Sequence, residues 1–144
     1  MIPSAGFWDS SALTPLFLRE TNSAQARVLA RRHAPVVWWG TVVEIRSAIA
    51  REHRSSLLGD SERGTLILLL GKARGGWLEI LPSDVLRELA ADLLDQHALR
   101  AADSLQLAAA LVWCREKPAG RQFICQDVRL CDAASQAGFT VIQL

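Results

Sequence analysis

The chain of 144 residues has almost no net charge, since 16 lysines and arginines stand against 15 acids for a formal +1. The long-range field that draws proteins onto nucleic acid is therefore nearly absent, and any grip on phosphate must come from a local patch. Lysine itself is scarce. Of the 16 cations, 14 are arginine, the side chain that forks onto phosphate. Cysteine is scarce too: Cys114, Cys125 and Cys131 cannot all pair and show no C-x-x-C spacing. Neither a disulfide framework nor a zinc site is indicated, and a reducing compartment is expected. Long apolar runs are missing. The longest, 66–70 and 107–114, fall well short of the ~20 residues a spanning helix needs, and 1–7 lacks the cationic start and apolar stretch of a secretory signal. No repeat or low-complexity segment occurs, and a composition 50% apolar and 22% charged excludes a disordered or fibrous chain.

What the chain does contain is enough apolar material for one domain, 1–144, but not comfortably two. Five short apolar segments, 5–8, 35–39, 77–81, 122–125 and 139–142, lack period-2 alternation and read as strands buried on both faces of a parallel sheet. The segments between them carry helical patterning. Ala24, Val28 and Leu29 share one face, and Val85, Leu86, Leu89, Leu93 and Leu94 another, after the start signal Pro82-Ser83-Asp84. Gly138 stands where a left-handed cap would end a helix over 128–137. The fold class predicted is α/β, a doubly wound parallel five-stranded sheet flanked by helices, with its ligand site beyond the carboxyl ends of the strands.

Four acids fall at or near that end. Asp9 directly follows the first strand; it either caps the next helix or, if Ser10 and Ser11 do the capping, is free for chemistry. Glu44 follows the second strand, where Thr41 and Glu44 have capping-box spacing; position alone favours the box, though the carboxylate would sit above the same sheet end. Asp103 opens a small, apolar helix and shares a stripe with Leu99, Ala102, Gln106 and Ala109. It is either a partly buried functional acid or a first-turn residue favoured by the helix dipole. Asp127 follows the fourth strand, as a cap of the helix 128–137 or as a fourth member of the cluster. Four carboxylates at one place repel one another unless a hard divalent cation such as Mg2+ or Mn2+ neutralises them.

At these residues the sequence resembles the PIN-domain ribonuclease family, especially the VapC-type toxins of bacterial and archaeal toxin–antitoxin pairs. Trp8-Asp9-Ser10-Ser11-Ala12-Leu13 is similar to the opening Asp-Thr/Ser-Ser motif, and Val43-Glu44-Ile45 to the helical Glu. Leu99-Arg100-Ala101-Ala102-Asp103-Ser104-Leu105-Gln106-Leu107-Ala108-Ala109-Ala110 is close to a Leu-x-Ala-x-Asp-Ala-x-x-x-Ala-x-Ala pattern. Cys125-Gln126-Asp127 resembles the Thr-x-Asp segment, with Cys125 in place of the hydroxyl. A thiol donates hydrogen bonds more weakly, which weakens the match at that position. The resemblance implies a PIN domain acting as a metal-dependent endoribonuclease, with Asp9, Glu44, Asp103 and Asp127 holding Mg2+ or Mn2+ and Ser10 and Cys125 in support. It also implies an RNA substrate, silencing by a VapB-type antitoxin, homodimer formation and a cytoplasmic location. A non-catalytic PIN-like interaction domain is the alternative.

Two other enzyme classes fit less well. A phosphoacceptor domain wants a lysine near its last strand, and none follows Lys117; a haloacid-type phosphatase wants an acid where Ser11 stands. His33, His53 and His97 read as surface or packing residues in helices or at their ends, and Cys114 and Cys131 as core thiols. Trp38 and Trp39 read as sheet core, and the segment 65–70 as a short helix, apolar all round, that is either sunk in the core or covered by a partner.

Overall fold

Each of the five apolar segments forms a strand in the computed structural model, which describes residues 2–144. The chain runs β1 (Ser4–Trp8), α1 (Ser10–Leu13), a 3-10 turn (Thr14–Leu16), α2 (Ser23–Arg32), β2 (His33–Trp38), α3 (Thr41–Arg54) and α4 (Asp60–Arg74). It continues with β3 (Leu78–Ile80), α5 (Asp84–Gln96), α6 (Ala101–Trp113), β4 (Gln122–Cys125), α7 (Val128–Ala137) and β5 (Thr140–Gln143). All strands pair in parallel in the order β3-β2-β1-β4-β5. The chain fills one half of the sheet outward from β1 and then returns to β1's other side. The order thus reverses between β1 and β4, the place where parallel sheets open a crevice.

Continuous apolar runs are required because helices cover both faces. Successive residues of the central strands point to opposite layers. Phe7, Val36 and Phe123 pack toward Leu86, Ala90 and Leu93 of α5, residues 107–111 of α6 and Leu130 of α7. Trp8, Val37 and Ile124 pack toward Leu13 of α1, Ile45 and Ile49 of α3 and Leu70 of α4. Phe7 stacks on Phe123 with ring centroids 5.3 Å apart, closing the β1–β4 seam from below. The alanines of α6 are explained by this packing, since Ala108, Ala109 and Ala110 are wholly buried between sheet and neighbouring helix. Gly138 ends α7 at φ 112°, as its position predicts.

Several expectations need correction. Cys125 and Cys131 are joined in a disulfide with Cα atoms 6.2 Å apart, and Cys114 alone is a free, buried thiol. Spacing did not show this because the partners lie on different elements: the turn out of β4 brings residue 131, one turn into α7, back over residue 125. Trp39 is not sheet core; it lies past the end of β2 and is 48% exposed, while Trp38 is buried. His33 both caps the end of α2 and begins β2. The segment 65–70 is the middle of the longer α4, with Leu70 buried but Leu68 70% exposed. Among the described residues no helix is long and apolar enough to cross a membrane.

Candidate active site

A pocket of about 640 Å³ opens beyond the carboxyl ends of β1 and β4, and Asp9, Glu44, Asp103 and Asp127 all line it. Four separate elements deliver them. Asp9 is the first residue past β1, Glu44 lies in the first turns of α3, Asp103 in the first turn of α6, and Asp127 between β4 and α7. The ends of β1 and β4 are tied together here, because the Asp9 amide donates to the Ile124 carbonyl at 2.9 Å.

Asp9 caps a helix and also lines the pocket, so the cap does not remove it from the cluster. Its Oδ2 accepts from the Ser11 amide at 3.0 Å, capping α1, and from the Ser11 hydroxyl. Ser10 and Ser11 therefore do not cap in its place. Ser11 Oγ in turn accepts from the Gln126 amide at 3.0 Å, so one hydroxyl braces Asp9 against the segment that carries Asp127. Asp9 is only 3% exposed. Burial, reinforced by the charges of Glu44 and Asp103 and opposed by the Ser11 bonds, pushes its carboxyl up to about 7.

The capping box at Thr41 and Glu44 does not form. Gly40 occupies the N-cap of α3, which makes Thr41 the first helical residue and puts Glu44 one position too late to bond back. Glycine is needed there because a Cβ on residue 40 would lie 2.5 Å from the Trp38 indole nitrogen. The Glu44 carboxylate is held instead by two neutral donors, Ser10 Oγ on Oε2 at 2.8 Å and Gln106 Nε2 on Oε1 at 2.9 Å. Asp103 is half-buried, and its carboxyl is pushed up by burial and by the charges of Asp127 and Glu44, against a lowering by Arg100. Asp127 caps α7 through Oδ1, which accepts from the Leu130 amide at 2.9 Å.

Cys125, expected in support, does not line the pocket; it is buried, with its sulfur bonded to Cys131. Conversely the pocket gathers residues that motif reading passed over. Ser47, Arg51 and Glu52 continue the helical stripe that begins at Glu44, so periodicity could have found them, and Glu20 joins from the loop before α2. Nothing local marks the bonds from Gln106 to Glu44 or from Gln126 to Ser11, whose partners lie far apart in the chain. Arg51 lines the same pocket as the acids, and Arg100 and Arg129 line a smaller hollow that shares Asp103 and Asp127.

All the charged donors of the pocket are carboxylates, which suit a hard cation. Among the described residues no three His, Cys, Asp or Glu side chains stand close enough to enclose an ion by themselves.

No protein-family model matches the sequence, and neither does any curated protein. Solved structures do match in shape. A toxin–antitoxin complex from Klebsiella pneumoniae aligns with a TM-score of 0.59 and 16% identity, over 87% of this chain and 88% of that one. PAE2754 from Pyrobaculum aerophilum aligns at 0.67 and 18% identity, over 96% and 89%. FitAcB from Neisseria gonorrhoeae aligns at 0.66 and 16% identity, over 94% and 95%. Identities this low speak for backbone architecture alone. With its all-parallel five-stranded sheet and acids gathered at the switch between β1 and β4, the chain has a PIN-like fold, shared with a solved toxin–antitoxin complex.

Proposed function

We propose that this chain is the toxin of a toxin–antitoxin pair and acts as a Mg2+- or Mn2+-dependent endoribonuclease. One observation carries the reading: four carboxylates from four elements line a single pocket at the sheet's switch point, with arginines lining it and the smaller hollow. Asp9, Glu44, Asp103 and Asp127 would hold the metal, partly through water. The bound cation supplies a water of lowered pKa and charge stabilisation at phosphorus. The rest falls to the chain's own residues. Ser11 fixes Asp9, and Ser10 fixes Glu44. Arg51, Arg100 and Arg129 bind backbone phosphates on both sides of the scissile bond, supplying the local basic patch that a nearly neutral molecule needs.

The partners of this reading are a VapB-type antitoxin and a second copy of the chain, acting in the cytoplasm of a bacterium or archaeon. The surface carries apolar side chains for such contacts: Trp39, Val43, Leu78, Leu81 and Val85 are exposed around β3, and Phe17, Leu57, Leu58 and Leu66 line a groove beside α4. A non-catalytic PIN-like interaction domain is the second reading, favoured by the lack of any ready three-ligand metal cluster among the described residues.

Cleavage of a single-stranded RNA with added Mn2+ or Mg2+ separates the two. The parent should cut internally, stop when EDTA is added, and lose essentially all activity in Asp9→Asn, which keeps its fold. Cutting that persists in EDTA or in folded Asp9→Asn would sink the metal mechanism, and no cutting with either metal would leave the interaction domain.

A further inference from the structure

We propose that Gln106 is a positioning residue of this site, reaching from α6 to α3 to set the Glu44 carboxylate in the pocket. The assignment rests on the metal-dependent reading above. Gln106 is 0% exposed in a helix face made otherwise of Leu107, Ala109 and Ala110, where a polar side chain needs a partner. Its Nε2 donates to Thr41 Oγ1 at 3.0 Å and to Glu44 Oε1 at 2.9 Å.

The amide can face only one way. Glu44 Oε1 is the acceptor, so the nitrogen end of the amide meets it; the flipped amide would set oxygen against oxygen. The other end has no protein partner, since Gln106 Oε1 is buried without a hydrogen bond. A buried amide satisfied at one end is a poor solution to packing, and an apolar side chain of equal length would avoid the unmet acceptor. The gain lies at Glu44. Ser10 holds Oε2 and Gln106 holds Oε1, so the carboxylate is fixed at both oxygens by neutral donors and its direction in the pocket is set. Gln106 also lies one turn along α6 from Asp103, which makes a single helix carry one candidate ligand and brace another.

The test is Mn2+ binding, read from the electron paramagnetic resonance of the free ion, beside the melting temperature of each variant. Gln106→Met and Gln106→Leu both remove the amide while keeping an apolar filling, and either folded variant decides. Melting should stay level or rise, while Mn2+ affinity falls about 10–100-fold, the usual effect of losing a group that orients a ligand. In a Glu44→Gln background the same substitution should change affinity no further, because its action runs through that carboxylate. An unchanged affinity in the folded single variant, or an equal fall with and without the Glu44 charge, overturns the assignment and leaves the metal reading standing. A parent that binds no Mn2+ overturns both.

Discussion

Asp9 is held in a buried place that disfavours its charged form and so works against folding at neutral pH. Its carboxyl has been pushed to about 7, against an ordinary 3.8 for the exposed group. The folded chain therefore binds more protons than the unfolded one between those values, and this group's contribution to stability falls as pH rises from about 4 to about 7. The full span is worth on the order of 4 kcal/mol. Asp103, raised by burial and by its acidic neighbours, acts in the same direction, whereas His33, lowered by burial and by Arg32, acts in the opposite one. In EDTA the melting temperature of Asp9→Asn should fall less between pH 5 and pH 8 than that of the parent, and parallel pH profiles would show that Asp9 titrates normally. The four acids were legible in the sequence because each sits where local rules place it, just past a strand or in a helix's first turns. Which of two jobs each performs was not legible. Asp9 and Asp127 both cap and line the pocket, and Glu44 is excluded from capping by Gly40, whose role appears only once Trp38 lies against it. The long-range bonds of Gln106 and Ser11 could not be read, since Glu44 and Gln126 lie 62 and 115 residues away from them.

At the scale of elements, strands were the most legible part, since burial on both faces leaves a continuous apolar run that little else imitates. The junctions were less so. The start of α3 is set by steric contact with the Trp38 indole: Gly40→Ala would place a methyl 2.5 Å from its nitrogen and 3.2 Å from Cδ1. Moving a buried indole should cost roughly 1–3 kcal/mol. Because Glu44 rides on that turn, Mn2+ affinity should fall together with the melting temperature. A drop in melting alone would separate the helix start from the site. The junction after β4 is bound covalently by Cys125 and Cys131, which straddle Asp127. A cross-link closing so short a loop is worth about 2 kcal/mol, so a thiol reductant should lower the melting temperature of the parent and leave Cys131→Ala unmoved. A parent indifferent to reductant would mean that the two sulfurs are not bonded in solution.

For the molecule as a whole, a charge of +1 sets a limit on how it would grip RNA under the proposed function. With three arginines beside the pocket and no general field, the logarithm of the affinity for single-stranded RNA should fall against the logarithm of salt concentration with a slope of roughly −2, and Arg100→Ala should flatten it by about 0.7. Filter binding with the inactive Asp9→Asn protein measures this, and a much steeper slope would place the RNA on arginines away from the pocket. The strand order adds a consequence in time. β1 pairs with β4, so Trp8 meets Ile124 across most of the chain, and the pocket between them takes its fourth carboxylate from residue 127. During synthesis Asp9 and Glu44 leave the ribosome well before the wall that β4 and Asp127 complete. On the proposed function, a half-made chain is harmless to the messenger that encodes it. A frameshift or stalled ribosome before residue 122 releases a fragment without the seam that forms the site, so on that proposal no active nuclease is released until β4 has been made.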